Sequence, residues 1–346
     1  LKIQKETALT FDDLLLIPKR STIKSRFGGE IDMSSEVVPG IKINIPIISS
    51  NMDTISGFDL VKAMNEFGAT GIIHRFMDVQ EHYKYLKELS KPIIGCIGVG
   101  EDGRKRMEVI ADACDAVLID IAHGHCDAMI NQISWIRENF KNIPIIAGNV
   151  ATYQGTMDLL EAGCRSVKVG VGCGALCTTR IKTGNGVPQA TAIIECRKAK
   201  EDFYNKTKIN STLIADGGIR NSGDIIKCLA LGASCIMAGN LLAGTEESPG
   251  KPIQLPGQGK MKIYRGQASL SAMLDWKGYA TSVEGEISMV PYKGSIKEVM
   301  KDLVSGILSG MSYQNARTLN ELYEDAEFVI QTNAGIIEAK PHGLLK

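Results

Sequence analysis

No stretch of this 346-residue chain reaches the roughly 18 consecutive apolar residues that a membrane-spanning helix needs, and its first residues show no leader-peptide pattern. It carries no net charge. Thirty-nine Lys and Arg balance 39 Asp and Glu, so bulk electrostatics favour neither nucleic acid nor an anionic membrane surface. It has no CxxC pair. Its nine cysteines are odd in number and scattered, several inside apolar runs around Cys96, Cys164 and Cys235. That pattern speaks against a disulfide framework and for free thiols in a reducing compartment, so a cytoplasmic location is expected. No GxGxxG follows the first β-rich run, which disfavours a doubly wound dinucleotide-binding sheet. The chain opens on Leu1 rather than methionine, which leaves its natural start open.

What is present is a rhythm. Eight short β-rich runs recur at 46–51 (PIISSN), 70–74 (TGIIH), 92–98 (PIIGCIG), 116–122 (AVLIDIA), 144–149 (PIIAGN), 166–170 (SVKVG), 212–216 (TLIAD) and 234–238 (SCIMA). They are continuously apolar rather than alternating, as strands buried on both faces of a parallel sheet are. Helix-like segments lie between them at 61–67, 79–89, 104–112, 127–139, 153–162, 190–200 and 222–230, the last with Asn221 as an N-cap. Eight strand–helix repeats predict an α/β fold, a (β/α)8 TIM barrel, with residues 1–45 as an N-terminal extension. After the eighth run the rhythm breaks. Residues from about 245 to 292 read as an insertion without regular structure, expected to act as a lid, before helix-like segments at 295–308 and 312–323. The whole of 1–346 is expected to be one catalytic domain.

In such a barrel reactive groups gather where strands end. Those ends carry Asn51, Met52 and Asp53, then His74 and Arg75, Asp120 to His125, Asn149, Gly170 to Cys177, Asp216–Gly217–Gly218, and Gly239–Asn240. The last two loops suit phosphate held by backbone N–H groups, with Asp216 beside it for ribose hydroxyls; a tight strand-to-helix turn is the plainer reading. Cys177 lies in a glycine-rich loop next to Arg180 and Lys182. Positive neighbours raise the thiolate fraction, so Cys177 reads as a nucleophile, against the alternative of a structural thiol. His123 and His125 have no third ligand nearby and are weak evidence for a metal. Glu246–Glu247 and Glu284–Gly285–Glu286 are acidic pairs of the kind that usually sit in solvent; Glu284 differs in lying within the predicted lid.

Several stretches carry a resemblance: LTFDDLLLIPKRST at 9–22, NMDT at 51–54, IDIAHGH at 119–125, IIAGNV at 145–150, CTTRIKTG at 177–184, ADGGIRNSGD at 215–224, LAGTEESPG at 242–250 and VPYKGS at 290–295. In this order they resemble the IMP dehydrogenase and GMP reductase family over nearly the whole chain. The resemblance implies a barrel that binds a purine nucleotide, in homotetramers, with Cys177 attacking C2 of the base and a nicotinamide cofactor exchanging hydride there. It implies that Gly217, Gly218, Gly239 and Tyr264 hold phosphate, Asp216 the ribose, with Met52, Asn240 and Gly266 completing the substrate site. Arg75, Asp120, Asn149, Arg180 and Lys182 are the implied cofactor contacts. Backbone carbonyls of Gly172, Gly174 and Cys177 are an implied site for a monovalent cation, K+.

The two branches of the family part at two places. Dehydrogenases usually carry cystathionine-β-synthase-type modules between the second and third strands, where this chain has only residues 76–91. Their lid also carries an Arg-Tyr pair that activates water, whereas LDWKGYATSVEGEISM at 274–289 has no arginine. It resembles the reductase form, in which a glutamate works with the second threonine of CTT; here these are Glu284 and Thr179. STIKSR at 21–26 and IHRF at 73–76 also lean to the reductase. LAGTEESPG and AGIIEAKPHG at 334–343 resemble dehydrogenases equally. The loop before the cysteine has Ala175 where the family has a phosphate-binding serine. The expectation is therefore a GMP reductase that uses NADPH to convert GMP to IMP and ammonia. The alternatives are an IMP dehydrogenase forming XMP with NAD+, and, in another class, a purine-nucleotide-binding barrel without catalysis.

Overall fold

The structure is a computed structural model that describes all residues except 1, 2, 5, 342 and 344–346. The first residues of the N-terminal extension, and His342 of the tail motif, thus lie outside the described residues. Eight parallel strands form one sheet: β1 (Ile47–Ser49), β2 (Thr70–Gly71), β3 (Ile94–Ile97), β4 (Ala116–Asp120), β5 (Ile145–Val150), β6 (Ser166–Val169), β7 (Thr212–Asp216) and β8 (Cys235–Ala238). The order β2-β1-β8-β7-β6-β5-β4-β3 curls the sheet into a barrel that is nearly closed, with Ile236 opposite Ile47 where last strand meets first. Between β2 and β3 there is no ladder among the described residues. The run predicted at 70–74 pairs only over Thr70–Gly71, although Ile72 and Ile73 stay buried.

Seven helices alternate with the strands: α1 (Phe58–Phe67), α2 (Val79–Glu88), α3 (Gly100–Ile110), α4 (Asp127–Asn139), α5 (Tyr153–Ala162), α6 (Gln189–Thr207) and α7 (Ser222–Leu231). An eighth, α8 (Ile296–Tyr313), follows the inserted segment. Asn221 caps α7 as expected, accepting the Asp224 N–H at 2.9 Å.

The continuous apolar runs resolve into two alternating sets, as period-two strands require. Ile48, Ile94, Cys96, Leu118, Ile146, Ile214, Cys235 and Met237 pack inside the barrel. Ile47, Val117, Ile119, Ala147, Val167, Leu213 and Ile236 belong to the outer layer with the helices. A hairpin in the N-terminal extension, Ser35–Val38 with Ile41–Ile43, joins the inner set through Val37, Val38 and Ile43. Val37 O accepts the hydroxyls of Ser166 and Thr212, from the first residues of β6 and β7, so the hairpin plugs the end of the barrel away from the site.

The inserted segment differs from the irregular stretch expected. Its strands Ile253–Leu255, Gly259–Arg265 and Ile287–Pro291 form an antiparallel sheet, and a helix, Leu270–Lys277, links the last two. Glu247, expected to be a solvated acid, instead caps α8: its carboxylate accepts Ile296 N and Ser295 Oγ, both at 2.8 Å.

Candidate active site at the C-terminal mouth of the barrel

Lumen-facing residues turn polar at the mouth. Lys168 stands two residues after Ser166 on β6 and so shares its inward face. Its side chain is 3% exposed, and Nζ lies 2.8 Å from Asp120 Oδ1 at the end of β4 and 2.7 Å from Asp216 Oδ2 at the end of β7. Asn51 Nδ2 donates to Asp120 Oδ2 at 2.9 Å. Asn149 Nδ2 donates to Asp216 Oδ2 at 2.9 Å and to Gly170 O at 2.8 Å. Burial alone would raise the Asp120 carboxyl, but the facing ammonium outweighs it and holds Asp120 below the ordinary carboxylate range. The same balance holds Lys168 above its ordinary value: burial opposes its charge, and two carboxylates restore it.

The loops after β6 and β7 meet backbone to backbone. A Cβ on Gly170 would stand 2.0 Å from Asp216 O, and one on Gly217, at φ +94°, would stand 2.8 Å from Cys173 Sγ. Cys173 is the filler of this seam. It donates to Asp216 O and Gln189 Oε1, each at 3.2 Å, and burial pushes its thiol up to about 12.

Cys177 is half-buried and differently placed. Its Sγ donates to Thr179 Oγ1 at 3.1 Å, and Thr179 Oγ1 donates to Glu284 Oε2 at 2.7 Å. Ser282 Oγ holds the other carboxylate oxygen at 3.0 Å. Main-chain bonds lock this contact: Thr178 N to Glu284 O and Glu286 N to Leu176 O, both 2.9 Å, and Glu284 N to Ala268 O at 3.0 Å. The inserted segment is thus docked on the cysteine loop.

The reason first given for an activated thiol does not hold. The Arg180 guanidinium turns to Val171 O and Val187 O and packs against Gly172 and Gly186, while Lys182 is exposed. The partner of the Cys177 thiol is a hydroxyl backed by a carboxylate. The same arrangement bears on a K+ site: Gly174 O accepts Cys177 N at 3.0 Å, and a resident guanidinium donates to the neighbouring carbonyl of Val171. Gly174 O, one of the three carbonyls expected to hold K+, thus has one lone pair engaged by the chain and a second that can face a cation. Among the described residues no group of three or more His, Cys, Asp or Glu could hold a metal ion; His125 instead pairs with Asp158 at 2.7 Å.

The remaining predicted residues fall into three sets. Met52, Gly239 and Tyr264 converge, since a Cβ on Gly239 would lie 3.2 Å from Tyr264 Oη and 3.8 Å from Met52 Sδ. Tyr264 is 3% exposed, and burial raises its phenol. Gly218 lies against Gln189, and Gly266 N joins the inserted segment by donating to Glu286 O at 2.9 Å. Asn240 is exposed, and its carbonyl accepts Lys293 Nζ at 2.7 Å. Arg75 lies over the Phe76 ring at 4.6 Å and against Gly98, close enough to Asp120 to lower its carboxyl. Sequence reasoning missed Lys168 and Ser282, and gave Asn51 a place at a strand end without a role. For Lys168 a signal existed: a lysine inside SVKVG interrupts a run otherwise buried on both faces.

The sequence profile described as "IMP dehydrogenase / GMP reductase domain" matches residues 8–342. An inosine-5'-monophosphate dehydrogenase of Nitrosopumilus maritimus is 31% identical over 477 aligned positions, covering 97% of this chain and 98% of the relative. That alignment has more positions than this chain has residues, so the relative carries stretches absent here. An inosine-5'-monophosphate dehydrogenase of Cryptosporidium parvum is 35% identical over 96% of this chain and 94% of its own. Among solved structures, a GMP reductase of Trypanosoma brucei in complex with guanosine 5'-monophosphate superposes with a TM-score of 0.91. Its sequence is 27% identical, and the match covers 98% of each chain.

Proposed function

Because the chain belongs to the IMP dehydrogenase/GMP reductase family of nicotinamide-dependent purine nucleotide oxidoreductases, we propose that it is a GMP reductase, converting GMP and NADPH to IMP, ammonia and NADP+. One observation carries this reading: the unbroken path from Cys177 Sγ through Thr179 Oγ1 to Glu284, on a segment with no arginine between 274 and 289 to activate a water.

The chemistry follows from that path. Glu284, through Thr179, receives the thiol proton as Cys177 Sγ forms a bond to C2 of guanine. The same path returns a proton to the 2-amino group, the C2–N bond breaks, and ammonia leaves rather than an amide anion. The nicotinamide, when bound, supplies the hydride that C2 then takes up. The C2–S bond breaks, the sulfur keeps the electron pair, and one proton taken up from solvent restores the resting thiol. GMP, one hydride and one proton thus become IMP and ammonia. The docked segment's further task is to keep water from C2, where it would give XMP.

Binding roles are assigned on the same footing. Asp216 Oδ2 is taken by Lys168 and Asn149, which leaves Oδ1 for ribose hydroxyls. Gly217, Gly218, Gly239 and Tyr264 would hold phosphate, without the serine that Ala175 replaces. For the cofactor, Asp120, Asn149 and Arg75 are the residues at hand. Arg75 Nε and Thr178 Oγ1 are buried and have no partner among the described residues, and orphaned polar atoms beside the mouth fit a polar ligand there.

IMP dehydrogenase is kept as a second reading because curated relatives at 31% and 35% identity bear that name. Paired assays separate the two. With GMP and NADPH, loss of reduced-cofactor absorbance together with one ammonium per NADPH supports the reductase. NADH appearing from IMP and NAD+, with no GMP-dependent ammonium, would overturn it.

A further inference from the structure

Two of the contacts that attach the segment carrying Glu284 to the barrel lie at the mouth. One is the cysteine loop. The other is Asp53, in the turn after β1, which is 8% exposed. Asp53 Oδ2 accepts Arg265 Nε at 2.9 Å, a second bond from Arg265 Nη2, and Trp276 Nε1 at 3.1 Å. Arg265 ends the strand that enters the segment, and its N–H donates to Thr54 Oγ1 at 3.2 Å. Its Nη1 donates to Asp275 and to Ser271 Oγ, the latter at 3.2 Å. Ser271, Asp275 and Trp276 all lie on the helix Leu270–Lys277. A single buried carboxylate therefore gathers the entering strand and the helix that leads to Glu284.

Little else fixes that helix. Ala272 is its one buried residue, while Leu270, Leu274 and Trp276 are 51%, 47% and 41% exposed. A cavity of about 940 Å³ opens beside it, lined by Asp53, Phe58, His74, Arg265, Trp276 and Ile287 among others. With so little apolar area removed from water, hydrophobic burial cannot set its position. Charge-assisted hydrogen bonds, which are directional, can. The three bonds that reach the Asp53 side chain from this junction all go to Oδ2, while Oδ1 is buried and has no partner among the described residues.

We propose that Asp53, acting through Arg265 and Trp276, is a positioning residue that holds Glu284 against Thr179. This rests on the role given to Glu284 above, and it assigns the precision of that contact to a charge outside the Cys177–Thr179–Glu284 path. Two measurements test it separately. The chain has two tryptophans, so Trp135→Phe leaves Trp276 as the sole reporter. In that background Asp53→Asn should shift Trp276 emission to the red and raise its quenching by acrylamide; unchanged emission and quenching would overturn the anchor.

The second measurement is a cycle of Asp53→Asn, Glu284→Gln and the double variant with GMP and NADPH. Asp53→Asn alone should lower kcat by about tenfold or more with the GMP Kd within about twofold, and cost less than about twofold more in the Glu284→Gln background. Equal losses in both backgrounds, or a matching loss of GMP affinity, would overturn the positioning role. If Glu284→Gln alone has full activity, the catalytic reading of Glu284 fails, and the positioning role with it, while the fluorescence result still reports on the anchor. Trp276→Phe, which removes one donor of three, should give a smaller kcat loss of the same kind and serves if Asp53→Asn does not fold.

Discussion

A proton leaving the Cys177 thiol meets Thr179 first and Glu284 second, with no other titratable side chain among the described residues bonded along that line. Glu284→Gln keeps the size of the side chain and removes its basicity. It should lower kcat by about 10²–10³-fold, the range for loss of one general acid–base group, with KM for GMP little changed in steady-state assays. Cys177→Ala should abolish turnover. Lys168 makes a different prediction, since Lys168→Met leaves two half-buried carboxylates without their buried cation. Breaking such a buried pair costs about 3–5 kcal/mol, to be read as a lower urea midpoint, and nucleotide affinity should fall as Asp216 loses its orientation. These residues were not equally readable. Cys177, Thr179 and Glu284 sit in distinctive surroundings of glycine and threonine. The relay between them needed the fold, because 105 positions separate Thr179 from Glu284. Lys168 hid in an apolar run, where a single charge reads as a blemish. Arg180 was misread because neighbours in sequence need not point the same way in a loop.

At the scale of elements, the strands were plain in the sequence because burial on both faces writes eight apolar runs. Their exact pairing was not: β2 forms a ladder over two residues where five were expected. The inserted segment was the hardest to read. Its strands Ile253–Leu255 and Ile287–Pro291 are largely exposed, so they lack the apolar alternation that marks a half-buried strand. Gly285 tests how that segment docks. It forms a bridge with Cys177, and a Cβ there would stand 3.0 Å from Ser269 N and 3.1 Å from Ala268 C, both backbone atoms. Gly285→Val should therefore lift Glu284 off Thr179 and lower kcat by about tenfold or more. The melting temperature should barely move, because the adjoining helix buries so little. A large drop in melting temperature would show that the segment is part of the structural core.

For the whole molecule, the barrel is closed at one end by the N-terminal hairpin, and Leu14–Leu16 pairs with Phe328–Ile330, which joins the N-terminal extension to the residues after α8. Two buried histidines make its stability depend on pH. Burial lowers His74 to about 4, and burial with the Arg106 charge lowers His82 to about 3, from an ordinary 6.5. Arg106 can only donate, so His82 Nδ1, at 3.2 Å, is held unprotonated. The unfolded chain takes up these protons below about pH 6.5, and the folded chain does so only near 4 and 3. Stability is therefore full above 6.5 and falls as pH drops, by about 3 kcal/mol for His74 alone between 6.5 and 4. Urea midpoints measured across that window should decline, and less steeply in His74→Gln.

Every catalytic expectation depends on one sulfur reaching a purine carbon. Incubation with a 2-halogenated purine ribonucleoside 5'-monophosphate followed by mass spectrometry of the digested chain tests that directly. The account predicts a single adduct on Cys177, with halide lost and the Sγ–C2 bond kept, forming more slowly in Glu284→Gln. An unmodified Cys177, or label spread over other cysteines at the same rate, would contradict it.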